Sequence, residues 1–329
     1  MRVAVIYDGT SYPLIDSVLR DALDISKDVK EIVAILHGQG MEVVAVPLYA
    51  PLDQMLHQLR ELKMDLIFNL FEGFGDDSAS EYQVASLLEW MKIPYTGSGP
   101  MSLALCHNKA IANGLLQFSN IPAPLCRVIQ KGEKLEDFNI EFPVIVKPIH
   151  EDGSIGIDTQ SVTWTLEMLN QRAKRIHQEF NQAAIAEKYI DGREFNVSLV
   201  GNDKLDFTQV REIEYLNMEG PRILTYNAKW NQTSLEYQNT LPRKIVLDHE
   251  PFLALIKQLS VECFKLFKIR DYGRIDFRLG EDEVPYVIDV NPNPCISRDS
   301  GLAHAALLNQ LSYEKLIQRI VDHALQRSC

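Results

Sequence analysis

The chain is poor in several features that would mark large classes of protein. Its 329 residues include five cysteines, Cys106, Cys126, Cys263, Cys295 and Cys329, odd in number and widely spaced. No Cys-x-x-Cys pair or Cys/His cluster occurs, so neither a disulfide framework nor a zinc site is indicated. No apolar run reaches the roughly 18 residues that a membrane span needs. Met1 to Gly9 reads as a strand and a turn, too soon interrupted for a signal peptide, and the cytoplasm is the expected compartment. Basic charge is in deficit. Lys and Arg number 33 against 45 Asp and Glu, a net charge of −12 that argues against a nucleic-acid partner. The loop from Glu72 to Ser78 has two glycines but lacks the third that a dinucleotide fingerprint requires, so a nicotinamide dehydrogenase is not supported. There is no internal repeat and no low-complexity segment.

What remains is an ordinary globular composition, 46% hydrophobic and 24% charged. The length suggests two or three domains with ample core. Strands are expected at residues 3–7, 41–48 and 65–70, with helices ending near Gly38 and spanning 51–62 and 81–91, and a short edge strand at 93–96. Strands alternating with helices imply a parallel sheet covered on both faces, with ligands beyond the carboxyl ends of its strands. The loops at 8–11 and 71–78 lie at those ends. In the second of these, Asp77 or Ser78 suits the N-cap of the next helix, and the acids suit either solvent or a substrate contact. The pattern changes at His107. A helix is expected from Lys109 to Ser119, a strand from 142 to 148, a helix from 165 to 181 and strands at 183–189 and 195–200. Residues 211–240 read as a polar loop of the length of a lid. A helix at 252–267 precedes the central hairpin, and helices at 303–311 and 313–325 close the chain.

The hairpin runs from Tyr272 to Asn291. Period-two alternation sets Arg274, Asp276 and Arg278 on one strand face and Ile275 and Phe277 on the other. Asp289 and Asn291 share a face in the second strand, with Ile288 and Val290 opposite. A polar turn near Asp282 and Glu283 would bring Asp276 opposite Asp289, with Asn291 one side-chain repeat further. Two carboxylates so close repel each other, and a divalent cation removes the conflict. All-oxygen ligands, few in number, point to Mg²⁺ shared with a phosphate. Lys147 ends a β-branched run and needs an anionic partner. The loop after it, 151–157, carries Gly153 and Gly156 around Ser154, and its backbone N–H groups can cradle phosphate oxygens. Glu187 suits a base edge and Glu194 ribose hydroxyls, or both sit on a solvated strand face. Lys229 and Trp230 lie in the lid, where Lys229 could reach a phosphate and Trp230 could equally be a packed aromatic.

In this order the set resembles the ATP-grasp superfamily and, within it, the D-alanine–D-alanine ligase family over almost the whole chain. The motifs that carry the resemblance are Tyr272-Gly-Arg-Ile-Asp-Phe277, Val287-Ile-Asp-Val-Asn291 with Pro294, Val146-Lys-Pro148 spaced from Asp152-Gly-Ser-Ile-Gly156, and Tyr226-Asn-Ala-Lys229. The resemblance implies an N-terminal parallel α/β domain at 1–105, then an ATP-grasp fold of two subdomains, α/β and α+β in class, at 106–198 and 199–329. It implies ATP and one or two Mg²⁺ ions, with Mn²⁺ as an alternative, and a homodimer acting on small amino-acid or carboxylate substrates. Lys109 and Lys147 would bind phosphates, with Ser154 in the loop folding over them. Glu187, Lys188, Tyr189 and Ile190 would line the adenine pocket and Glu194 would meet the ribose. Asp276, Asp289 and Asn291 would hold the metal. Arg274 would face the reacting carboxyl, Lys229 would come from the lid, and Ser300 would meet the carboxylate of the second substrate.

The chain departs from the family pattern around the first substrate. Asp8-Gly9-Thr10-Ser11-Tyr12-Pro13 has no glutamate where the family's loop carries the one that receives the first ammonium. Glu72 replaces a histidine, Asp289 a glutamate and Cys295 a glycine, and Asp152-Gly153 stands where the family has Gly-Ser. The implied activity is an ATP-dependent amide-forming ligase with an altered first substrate, in which Glu72 takes the ammonium. The alternative is a nucleotide-binding regulator of the same fold without ligase activity. The retained Asp276, Asp289, Asn291, Lys147 and Arg274 speak against it.

Overall fold

A computed structural model describes residues 1–9, 19–49, 52–75, 77–216, 220–244 and 250–327. Most of the first loop, 10–13, therefore lies outside the described residues, as do Asp76 and Cys329. The first sheet is built from β1 (Arg2–Asp8), α1 (Leu19–Gly38), β2 (Glu42–Leu48), α2 (Leu52–Glu61) and β3 (Leu66–Asn69), with α3 (Ser80–Trp90) and α4 (Pro100–His107) following. Its three strands are parallel in the order β2-β1-β3. A strand covered on both faces needs an unbroken apolar run, and Val3 to Ile6 supply it. Val3 and Val5 pack toward α1, while Ala4 and Ile6 pack with Leu59, Val84 and Leu88 on the other side. The edge strand expected at 93–96 is only a bridge from Tyr95 to Ile67. Pro94 has no N–H to extend the ladder, and Gly97 turns away with φ of +90°.

The second sheet follows α5 (Lys109–Phe118), whose N-cap Asn108 accepts from the amides of Ala110 and Ile111. It contains β4 (Cys126–Ile129), β5 (Val144–Pro148), β6 (Val162–Thr163) and β7 (Ala184–Lys188), in the order β4-β7-β5-β6. Helix α6 (Leu166–Glu179) covers one face through Leu169, Ala173 and Ile176.

The third sheet holds β8 (Arg193–Gly201), β9 (Leu205–Tyr215), β10 (Thr240–Lys244), β11 (Asp271–Leu279) and β12 (Pro285–Asn291), antiparallel in the order β10-β9-β8-β11-β12. Between β9 and β10 lie α7 (Tyr226–Trp230) and α8 (Leu235–Gln238); α9 (Pro251–Leu266) precedes β11, and α10 (Gly301–Leu308) and α11 (Tyr313–Gln326) end the chain. Alternation decides what each face does. Phe195, Val197, Val210, Ile275, Phe277, Val287 and Val290 form one apolar face against α9 and α5. The opposite face carries Asn196, Arg211, Arg274, Asp276 and Arg278.

Two expectations change here. The polar loop does not begin at Arg211, because β9 continues to Tyr215 and pairs with both β8 and β10. The loop spans 216–239, of which 217–219 lie outside the described residues, and Thr240 opens β10. The hairpin pairs Asp276 with Asp289 and Arg274 with Asn291 as expected, but the register shifts between Asp276 and Phe277. The bulge turns Ile288 into the cleft and gives the core position to Val287.

Candidate active site

The second and third sheets face each other across a cleft. Twelve residues singled out in the sequence line it: Lys109, Lys147, Ser154, Glu187, Lys188, Tyr189, Ile190, Glu194, Lys229, Arg274, Asp276 and Asp289. Asn291, Glu72 and Ser300 do not. Asn291 pairs with Arg274 along the hairpin, and its Oδ1 accepts from the Asn293 amide at 2.9 Å. Glu72 is exposed in the loop after β3, and Ser300 is buried as the N-cap of α10.

At one end are the groups suited to phosphate. Lys109 is carried by the first turn of α5, and its Nζ donates to Asp152 Oδ1 at 3.0 Å and lies 3.8 Å from Asp289 Oδ1. Burial alone would lower its pKa, but Asp152 and Asp289 together hold it above the ordinary range. Lys147 on β5 meets Glu187 on β7 at 2.6 Å, and both are buried. The anionic partner that Lys147 requires is thus already present in the chain, and Glu187 is no solvated face residue. The loop 151–157 arches over this end with Gly153 at φ +61° and Ser154 at +65°, a left-handed pair unusual for serine. Trp230 Nε1 donates to the Gly153 carbonyl at 2.8 Å, and Tyr226 N to the Ile157 carbonyl at 3.0 Å, so the lid is docked on the loop.

At the other end, Lys188 Nζ donates to the Glu141 and Phe142 carbonyls. Tyr189 OH donates to the Arg222 carbonyl at 3.1 Å. Glu194 Oε2 accepts from Arg278 Nη2 and Tyr215 OH, both at 2.6 Å. Arg278 has a structural part here that its place on the strand face alone did not assign. The Arg222 carbonyl also accepts from Arg278, which ties the lid to this wall.

At the hairpin, Arg274 donates to both oxygens of Asp276 at 2.8 to 3.1 Å. Burial pushes the Asp276 carboxyl up, against the pull of Arg274. Burial acts on Asp289 in the same direction, but Lys109, Lys147, Arg274 and Lys229 outweigh it and hold that carboxyl down. Burial, and then Arg274, lower the pKa of Lys229. Two facing carboxylates, a neighbouring amide oxygen and no soft ligand suit a hard divalent ion, provided that Arg274 yields Asp276.

Toward the first sheet, Glu81 in the first turn of α3 accepts from Asn293 Nδ2 at 2.6 Å, and Tyr272 OH donates to Asn293 Oδ1 at 2.8 Å. Burial raises the Glu81 carboxyl to about 8, with Glu72 adding to the rise. Nothing in the sequence marks Glu81 for a role, because an acid in a first helical turn is commonplace. Ser78 does not cap α3. The N-cap is Ala79 without a side-chain bond, and Ser78 Oγ lies 2.8 Å from His107 Nε2. Among the described residues Cys106, Cys126, Cys263 and Cys295 are free thiols, and no helix is long and apolar enough to cross a membrane.

Residues 126–322 match the family model described as the D-ala D-ala ligase C-terminus. An uncharacterised protein of Sinorhizobium fredii, y4sG, is 34% identical over 262 residues, 80% of this chain and 75% of that protein. The D-alanine–D-alanine ligase of Hydrogenovibrio crunogenus is 27% identical over 98% of this chain and 95% of its own length. The crystal structure of the D-alanine–D-alanine ligase of Bacillus anthracis complexed with ATP superposes with a TM-score of 0.77 at 22% identity, covering 100% of this chain and 98% of that one.

Proposed function

The chain belongs to the D-Ala–D-Ala ligase family and has the ATP-grasp fold, and from that premise we propose that it is an ATP-dependent ligase that joins a carboxylate to an amine through an acyl phosphate. The observation that carries the reading is the convergence of Lys109, Lys147, Arg274, Asp276 and Asp289 on one cleft. In the first step a substrate carboxylate attacks the γ-phosphorus of ATP and releases ADP. In the second an amine attacks the acyl carbon, phosphate leaves and the amine gives up a proton. Lys109 and Lys147 would balance charge on the transferring phosphoryl group. Arg274 would move from Asp276 to the reacting carboxyl and stabilise the oxyanion of the tetrahedral intermediate. Asp276, Asp289 and Asn291 would hold one or two Mg²⁺ ions, or Mn²⁺, which neutralise phosphate charge when bound. Glu187, Lys188, Tyr189 and Ile190 would bound the adenine site, with Glu194 on the ribose side. The loop with Ser154, together with Lys229 and the docked lid, would keep water from the acyl phosphate.

The first substrate is the part of the reading that departs from the named relatives. Glu72 in the loop after β3 and Glu81 on α3 lie outside the cleft lining, on the side of the first sheet, and we read them as the ammonium side of an altered first subsite. Ser300 remains the candidate for the carboxylate of the second substrate.

The test is phosphate release from Mg-ATP with D- and L-amino acids and small dipeptides, singly and in pairs, with hydroxylamine to trap the acyl phosphate. A hydroxamate with one acid and phosphate release with its amine partner are expected. Asp276→Asn should abolish turnover, and turnover at the original rate would overturn the metal assignment. Measurable ATP binding with no phosphate release across a broad panel would favour a nucleotide-binding regulator.

A further inference from the structure

One buried charge is not used by this reading. Arg211 lies on β9, on the sheet face that carries the hairpin carboxylates. It stands opposite Asn196, Asn196 opposite Asp276, and Asp276 opposite Asp289, in one row across four strands. Strands are spaced at about 4.8 Å, so the Arg211 backbone is roughly 10 Å from that of Asp276. The residue is 9% exposed. Its bond is from Nη1 to the carbonyl of Gly301, the first residue of α10, at 3.2 Å. Among the described residues Nε and Nη2 have no partner and no carboxylate offsets the charge, which burial disfavours. The two other arginines in this burial range are both paired: Arg172 with Asp158 at 2.9 Å and Arg278 with Glu194 at 2.6 Å. A buried guanidinium without a counter-charge is costly, and a bound anion removes the cost.

The surroundings suit such an anion. Helix α10 packs on the same sheet face, with Leu302, Ala303 and Ala306 in one apolar cluster with Val200, Phe207 and Tyr272. Asn309 at its far end bonds Gln209, which directs its N-terminus toward the row of Arg211. First-turn N–H groups and the helix dipole favour negative charge there. Asn196 lies between Arg211 and Asp276, half-buried, and among the described residues its side chain makes no bond.

We infer that Arg211 and Asn196, beside the N-terminus of α10, bind a second carboxylate of the amine substrate, so that the substrate is a dicarboxylic amino acid of the aspartate or glutamate type. The inference rests on the ligase reading, in which the second, amine-bearing substrate is received beside Ser300 at the start of α10. Arg211 then decides which amine is accepted and touches no reacting atom.

The experiment is calorimetric titration of D- and L-aspartate, D- and L-glutamate and the corresponding amides into the full-length protein loaded with Mg²⁺ and a non-hydrolysable ATP analogue. One acid should bind about tenfold to a hundredfold more tightly than its own amide. Arg211→Met should remove that preference. Asn196→Asp, which sets a carboxylate opposite Arg211, should also remove it, and it keeps the test open if Arg211→Met does not fold. Equal affinity for acid and amide, no binding of either, or a preference that survives both substitutions would overturn the inference. Phosphate release is scored separately. A protein that prefers the acid yet releases no phosphate with it, alone or paired with any member of the substrate panel, keeps this site and loses the ligase reading. One that turns over D-alanine and ignores the acids keeps the ligase reading and loses this site.

Discussion

At the scale of single residues the site is a set of buried charges that compensate one another. Lys147 and Glu187 are both below one-tenth exposed and 2.6 Å apart. Removing one partner of such a pair strands the other, at a cost of about 3–5 kcal/mol, whereas replacing both by apolar groups is far milder. Lys147→Met is therefore expected to lower stability by about 3 kcal/mol in urea unfolding. The double variant Lys147→Met with Glu187→Leu should recover most of that loss without recovering ATP affinity. Recovery of both would mean that Lys147 serves folding alone. Glu81 gives a second expectation. Its carboxyl titrates near 4.5 when unfolded and about 8 when folded, because burial opposes the charge. Between those values the folded state holds a proton that the unfolded state has lost, so stability falls as pH rises from 4.5 to 8. Glu81→Gln should flatten that part of the curve, and a wild-type melting temperature that rises with pH relative to the variant would contradict it. The sequence showed Asp276 and Asp289 facing each other because strand periodicity and a short polar turn fix a register. It could not show Glu81, whose partner Asn293 is 212 residues away.

At the scale of elements, what the sequence hid was mostly polar strand. In β9 the cleft face carries Arg211 and Tyr215, and the other face Glu212. These polar groups find partners only across strands, as Glu212 does with Arg193 at 2.7 Å and Tyr215 with Glu194. Without the pairing, the segment looks like loop. Helix α4 lacked a signal for the opposite reason: Pro100 to Cys106 has no polar side to give it a helical period. The segment expected to act as a lid, shortened to 216–239, is fastened to the loop 151–157 by Trp230 and Tyr226. Trp230→Phe keeps a ring of similar bulk and deletes the bond to Gly153. The lid should then close less completely, and water should compete for the acyl phosphate. Phosphate released per amide formed is expected to rise severalfold, with faster amide exchange at 153–157 and little change in ATP affinity. A ratio that stays at one would mean that the other lid contacts suffice.

At the scale of the whole molecule, the parallel first sheet and the antiparallel hairpin were both legible, because each is set by periodicity within a short window. How the parts dock was not, since the packing joins residues from opposite ends of the chain. Val3, Ile32 and Phe68 share one apolar cluster with Leu302, Leu316 and Ile320. The polar counterpart of that contact is Asp271, which opens β11 with φ of +64° and is fully buried. Its carboxylate accepts from the Gly97 amide at 2.8 Å and from Arg327 Nε and Nη2 at 2.9 and 2.7 Å. Its own amide donates to Asn202 Oδ1, and Arg270 beside it bonds the Gly97 carbonyl and Tyr95 OH. One residue thus joins the end of the first sheet, the turn after β8 and the last helix to the strand that carries Arg274 and Asp276. Asp271→Ala leaves the Gly97 amide without its acceptor and Arg327 without its carboxylate, with only the Tyr95 carbonyl to accept from it, and should cost about 3 kcal/mol. Because the lost contacts lie between parts of the molecule, the damage should fall on their coupling. Thermal unfolding is expected to broaden or split in two, with exchange at 95–99 rising before exchange in β8 and β11. A single transition at the wild-type temperature would show that the apolar cluster alone holds the first sheet in place.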